Sequence, residues 1–244
     1  MGRKSEFETE SKNPAEKFLT WSSTNKCLSY YDKEKSKEVL IKLPFSFLTL
    51  AERTTVKGFD KKNNIGIYSN EVKYLSEDLK VKNFKSRNIA EGVWNDISSD
   101  VDKAGGKFAK SIYAMTKKGS LINICFFGGA IGEWFEFTKK SKKRLADEWV
   151  TVDGFEERKS GATTYYIPTF KYNKSLDSIQ GDMADKAYEI FQEYENGESH
   201  RKKSTAIKDR SKLEPIDYTA EGPLPRITKA KEPEIEEEED DLAF

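Results

Sequence analysis

The chain has 244 residues, with 42 Lys+Arg against 42 Asp+Glu, a charged share of 34% and a hydrophobic share of 36%. Its aromatic residues, 12% of the chain and nearly all before residue 195, suffice for a core and exclude wholesale disorder, while no apolar run approaches the roughly 20 residues of a membrane span. Two cysteines, Cys27 and Cys125, exclude a disulfide framework and speak for a reducing compartment. The polar opening MGRKSEFETE has no signal-peptide character, and Glu6 stands where a myristoylation pattern needs Ser or Thr, so a cytoplasmic location is expected.

In chain order, residues 1–14 are polar and end in Asn13-Pro14, which reads as an arm without fixed structure. Phe18–Trp21 and Leu28–Tyr31 flank a polar turn and predict a hairpin. Val39, Ile41 and Leu43 alternate with polar neighbours in a strand that stops at Pro44. Residues 54–59, 65–72 and 79–84 continue the strand pattern. A short helix is predicted over 89–103, carrying Val93, Trp94 and Ile97 and ended by Gly105-Gly106. Strands 107–116 and 120–127 follow, then a helix over 130–138 with Ile131, Trp134 and Phe135 on one face. Past the basic cluster Lys139–Arg144 comes a second hairpin, 149–156 with 163–172, whose second strand holds Pro168 and is expected at an edge. A helix over 182–195, capped by Asp182 and ended by Gly197, closes the folded part, 15–198. The fold class expected is mainly β with a few helices: an OB-fold-like small barrel with an additional hairpin and a C-terminal helix.

The balanced total charge hides an asymmetry. Residues 232–244, EPEIEEEEDDLAF, hold eight acidic side chains and no basic one, which leaves 1–231 with a net charge of +8. Residues 199–231 carry nine basic and four acidic side chains, three prolines and one aromatic, Tyr218, and read as a basic flexible linker. A solvating tail gains nothing from ending in Leu242-Ala243-Phe244, so the segment reads as an interaction tail with Asp240, Asp241, Leu242 and Phe244 as its partner-binding residues.

Absent residues narrow the chemistry. His200, the only histidine, lies in the polar stretch ESHRKKS, a poor setting for a catalytic base. Two distant cysteines and one histidine make no zinc set. AGGK at 104–107 lacks the upstream glycine of a phosphate loop, and the stretch from Asp100 fails the calcium-loop pattern at Ala104 and Ser111. GGAIGEW at 128–134 lacks dinucleotide-binding spacing. No cofactor or metal is implied, and no catalytic residues are assigned.

Strand alternation instead gathers lysines and rings. Lys57 and Phe59 share a face with Thr55; Lys80, Lys82 and Phe84 oppose Leu79 and Val81; Lys107, Ala109, Ser111 and Tyr113 oppose Phe108, Ile112 and Ala114. Lysines meet phosphates and rings stack on bases, a combination suited to single-stranded nucleic acid, although any soluble sheet exposes lysine and a ring can equally fill a core. With Tyr68 and Lys110 added, the expected DNA-binding set is Lys57, Phe59, Tyr68, Lys80, Lys82, Phe84, Lys107, Lys110 and Tyr113.

This layout resembles the bacteriophage single-stranded DNA-binding proteins. The acidic tail closing on Phe244 is similar in character to theirs, and Phe18–Trp21, Leu43-Pro44-Phe45, Val56–Phe59, Tyr68–Val72 and Gly128–Phe137 look like core segments of that family. The resemblance covers about residues 15–140 and the tail; the 149–172 hairpin and the following helix lie outside it and leave room for a dimerisation or accessory role. It implies coating of single-stranded DNA during replication, recombination and repair without catalysis. The tail is implied to recruit replication proteins, such as a DNA polymerase or a helicase-primase, and to compete with DNA. Two other readings stay open at this point: a metal-dependent nucleic-acid-processing enzyme, and a scaffold whose tail mimics DNA.

Overall fold

Alternation of period two, with β-branched and aromatic residues on the inward positions, carries about half of the described residues into strands. The computed structural model describes residues 13–205, with side chains through residue 197. In order these are β1 (Lys17–Ser22), β2 (Cys27–Asp32), β3 (Lys37–Ile41), β4 (Phe45–Asp60), β5 (Ile65–Ser69), β6 (Leu79–Asn83), β7 (Asn88–Gly92), α1 (Trp94–Ala104), β8 (Gly106–Thr116), β9 (Leu121–Phe127), α2 (Gly129–Lys139), a 3-10 turn at Lys142–Leu145, β10 (Glu148–Ser160), β11 (Thr163–Ser175) and α3 (Ser178–Thr205). The expected mainly-β class holds.

The strands form one sheet in the order β3-β2-β1-β9-β8-β4-β5-β6-β7, with the β10–β11 hairpin attached to the start of β4. All pairings are antiparallel except β1 with β9. The expected OB-fold-like barrel is not closed: the strands make an open mixed sheet in which β7 covers the outer edge of β6 and β9 has no free edge either. Its outer edge is taken by β1, from Lys17↔Ile122 to Thr20↔Cys125, so β6 and β7 have no free edge there on which to close.

Both faces of the central strands are covered over part of their length. On one, α2 and β11 bury Phe47, Ile112, Ile124 and Phe126 around Trp134, whose indole N–H donates to Glu52 Oε1 at 2.7 Å. Further along, α1 seats Ile97 and Val101 against Val56, Ile67 and Val81. On the opposite face α3 lays Ala184 and Ala187 over Leu48 and Met115, then Phe191 over Tyr113 and Leu121. Each such large side chain, fully buried, contributes about 1.5–3 kcal/mol by leaving water.

Three predicted helix boundaries shift for physical reasons. The first helix begins at Trp94 rather than 89, because Asn88–Gly92 pairs with β6 as β7. The last begins at Ser178, not at Asp182. Asp177 Oδ1 accepts the Gln180 backbone N–H at 2.8 Å, and the Gln180 side chain reaches back to the Asp177 N–H at 3.4 Å, a capping box. That helix also runs through Gly197 instead of ending there. Pro168 lies in β11, which pairs with β10 alone, so its missing N–H faces the unpaired edge and the strand continues to Ser175.

Candidate nucleic-acid interface

Directly paired residues in a sheet project to the same side. The ladders place Lys107 of β8 beside Lys57 of β4, Lys57 beside Tyr68 of β5, and Tyr68 beside Lys82 of β6. This row of four crosses about 14 Å of sheet at ordinary strand spacing. One step on, Phe59 pairs with Gly66, and the Phe84 backbone N–H donates to the Gly66 carbonyl at 3.1 Å. Phe59 is 49% exposed and Phe84 72% exposed, yet the Phe84 ring lies 5.4 Å from that of Tyr68. The inward neighbours Val56, Ile67, Leu79 and Val81 are buried, which turns the lysines and rings outward.

The lysines differ in their electrostatics. Lys107 pairs with Asp102 at 3.1 Å and Lys80 with Glu91 at 3.0 Å, both as exposed pairs. Among the described residues neither Lys57 nor Lys82 forms an ion pair with a carboxylate. Pairs of this exposure hold a lysine by about 0–1 kcal/mol, little enough for a phosphate to displace the carboxylate.

Two residues of the expected set are not on this surface. Tyr113 shares the face of Lys107 but is fully buried, because Phe191 of α3 lies 4.4 Å from its ring. Its hydroxyl donates to Glu71 Oε2 at 2.7 Å and accepts from Asn13 Nδ2 at 2.7 Å. Burial, and then the Glu71 charge, push the phenol well above its ordinary range. Lys110 points to the other face and is only 3% exposed; its Nζ donates to Thr54 Oγ1 at 3.2 Å and lies 6.0 Å from the Phe135 ring. Burial lowers its pKa, with Glu52 pulling the other way.

Around Tyr113 the same face is closed by polar contacts that sequence reading did not find. Ser111 Oγ donates to Glu71 Oε1 at 2.5 Å and accepts from Asn123 Nδ2 at 2.6 Å. Arg53 stacks 5.1 Å from Phe191 and donates from Nε to Glu195 Oε1 at 2.6 Å, fastening α3 to β4. Beneath lies Cys125, whose thiol burial pushes up to about 12.

The basic cluster Lys139–Arg144 is elsewhere, at the end of α2. There Arg144 chelates Glu148 at 2.6 and 2.5 Å and covers the Tyr172 ring at 4.2 Å. Among the described residues no three His, Cys, Asp or Glu side chains converge as metal ligands, and no helix is long and apolar enough to cross a membrane. Residues 199–205, expected as the start of the flexible linker, instead continue α3; the arm up to residue 12, residues 206–231 of the linker and the tail with Asp240, Asp241, Leu242 and Phe244 lie outside the described residues, as do the side chains of 198–205. In comparison with known proteins, no family model, no curated protein and no solved structure matches the chain.

Proposed function

We propose that this protein binds and coats single-stranded DNA without strong sequence preference, and that it does so without catalysis. The observation that carries the reading is the outward row Lys107–Lys57–Tyr68–Lys82 with Phe59 and Phe84 beside it. Lysine ammonium groups neutralise phosphates, and each stacked base adds about 1–3 kcal/mol whatever its identity.

The strand order supports an OB-like core for this reading. The neighbours β6-β5-β4-β8-β9, with α1 entering before β8, follow the connectivity of a five-stranded OB barrel opened at one seam. In that fold the face of the second and third strands takes oligonucleotides; here those strands are β5 and β6, the bearers of Tyr68 and Lys82. On this reading the chain acts in the manner of the phage single-strand-binding proteins, in the host cytoplasm. Its acidic residues 232–244 then recruit a polymerase or helicase-primase and compete with DNA for the lysines.

A mobility-shift comparison of one sequence as single-stranded DNA, duplex DNA and RNA tests the reading. Tight binding of the single strand and weak binding of the duplex is the expected result, since pairing hides the base faces. Equal affinity for single strand and duplex, or cleavage of either on adding magnesium, overturns it.

A further inference from the structure

Gly66 is the second residue of β5, a strand position where glycine weakens pairing and marks a close approach by another group. It is not among the glycines with positive φ, so the backbone does not require glycine. What requires it is a ring. A Cβ at this position would stand 2.4 Å from Phe84 Cε2 and 2.8 Å from Cδ2, and all three of its nearest atoms belong to that ring. Phe84 therefore lies across β5 in the space a side chain at 66 would fill, and from there it reaches Tyr68 at 5.4 Å.

The backbone under Phe84 is fixed independently. Asn83 Oδ1 accepts the N–H groups of Lys85 and Arg87, both at 3.0 Å, and the Asn83 N–H donates to the Arg87 carbonyl at 3.1 Å. Only the side-chain torsions of Phe84 are then left to be set, and Gly66 sets them. A ring held flat before a base arrives loses less freedom on stacking than one that waves in solvent.

We propose that Gly66 is the positioning residue of the base-stacking platform: by having no side chain, it lets Phe84 lie over β5 against Tyr68. The proposal rests on the single-strand-binding reading and deepens it. Phe84 is largely exposed, so a methyl group at 66 displaces the ring into solvent and leaves the fold intact. Gly58 is the contrast, because its added Cβ would meet the Gly105 carbonyl oxygen and the Gly106 Cα, which are backbone and cannot step aside.

The test is a double-mutant cycle on the full chain: wild type, Gly66→Ala, Phe84→Ala and the double variant, with a labelled oligo-dT and parallel thermal melts. Gly66→Ala is expected to weaken binding about 5- to 100-fold, as Phe84→Ala does, with unchanged melts. In the Phe84→Ala background the same substitution is expected to change affinity less than about twofold, since no ring remains to displace. An equal loss in both backgrounds, a Gly66→Ala chain that binds as the wild type, or a lowered melt that accounts for the loss overturns the proposal. A Phe84→Ala chain that binds as the wild type overturns the platform as well, and so separates failure of the binding reading from failure of the role of Gly66.

Discussion

Two stretches of one sheet face stand a few residues apart on β4 and β8 and have opposite fates. At Lys57 and Lys107 the face is open, bordered by Phe59, Tyr68, Lys82 and Phe84. At Arg53, Ser111 and Tyr113 it is closed by α3 and by hydrogen bonds to Glu71, Asn123 and Asn13. The strand period is the same in both places. Alternation decides which way a side chain points; a helix some 80 residues downstream decides whether anything outside can reach it.

The largest effect expected belongs to the closed stretch. Tyr113→Ala removes a fully buried ring and takes one hydrogen bond each from Glu71 Oε2 and Asn13 Nδ2, and should cost about 3–5 kcal/mol in denaturant or thermal unfolding. The folded protein should bind oligonucleotides as before. A stable variant with impaired binding would erase the distinction between the two stretches.

Next comes alkaline titration of the same buried layer. In the folded chain the Cys125 thiol is pushed up from 9.0 to about 12, so its proton is held where the unfolded chain has released it. That stabilisation is complete below pH 9 and is lost as pH rises toward about 12, a loss on the order of 3 kcal/mol by pH 11. Unfolding of wild type and Cys125→Ala, compared at pH 8 and pH 11, should show the wild type falling by more. Parallel pH curves would mean that the thiol is less enclosed than its 3% exposure indicates.

At the open stretch the effects move from stability to affinity. Phe59→Ala and Tyr68→Ala should each weaken single-strand binding by about 1–3 kcal/mol in anisotropy titrations, Phe59→Ala with an unchanged melt. Smaller still is the expected difference among lysines. Lys57→Ala and Lys82→Ala should each flatten the plot of log affinity against log salt by about 0.7. Lys107→Ala and Lys80→Ala should do less, because Asp102 and Glu91 already neutralise them in part. Four equal slopes would remove the assigned difference between paired and unpaired lysines.

Much of the open stretch was legible in the sequence. Lys80, Lys82 and Phe84 against Leu79 and Val81, or Lys57 and Phe59 against Val56, follow from period two alone. The closed stretch was not, since the Phe191–Tyr113 contact joins residues with no local relation. Lys110 misled for a related reason: its polarity argues for water, but Thr54 and the Phe135 ring enclose it from distant elements. The open sheet likewise depends on a parallel pairing of β1 with β9 across about a hundred residues, for which no turn or motif gives a signal. The start of α3 was readable, in that Asp177 and Gln180 have capping-box spacing, but the helical pattern around Met183 and Ala187 drew attention to Asp182 instead.

The most direct measurement is photocrosslinking of an iodouracil-substituted single strand to the wild-type protein, with the modified residues identified by peptide mass spectrometry. Crosslinks at Phe59, Tyr68 and Phe84, with none at Tyr113, are the predicted result. Crosslinks confined to other surfaces, such as the β1–β3 sheet or the α2 end at Lys139–Arg144, would contradict the assignment of the open stretch as the binding face.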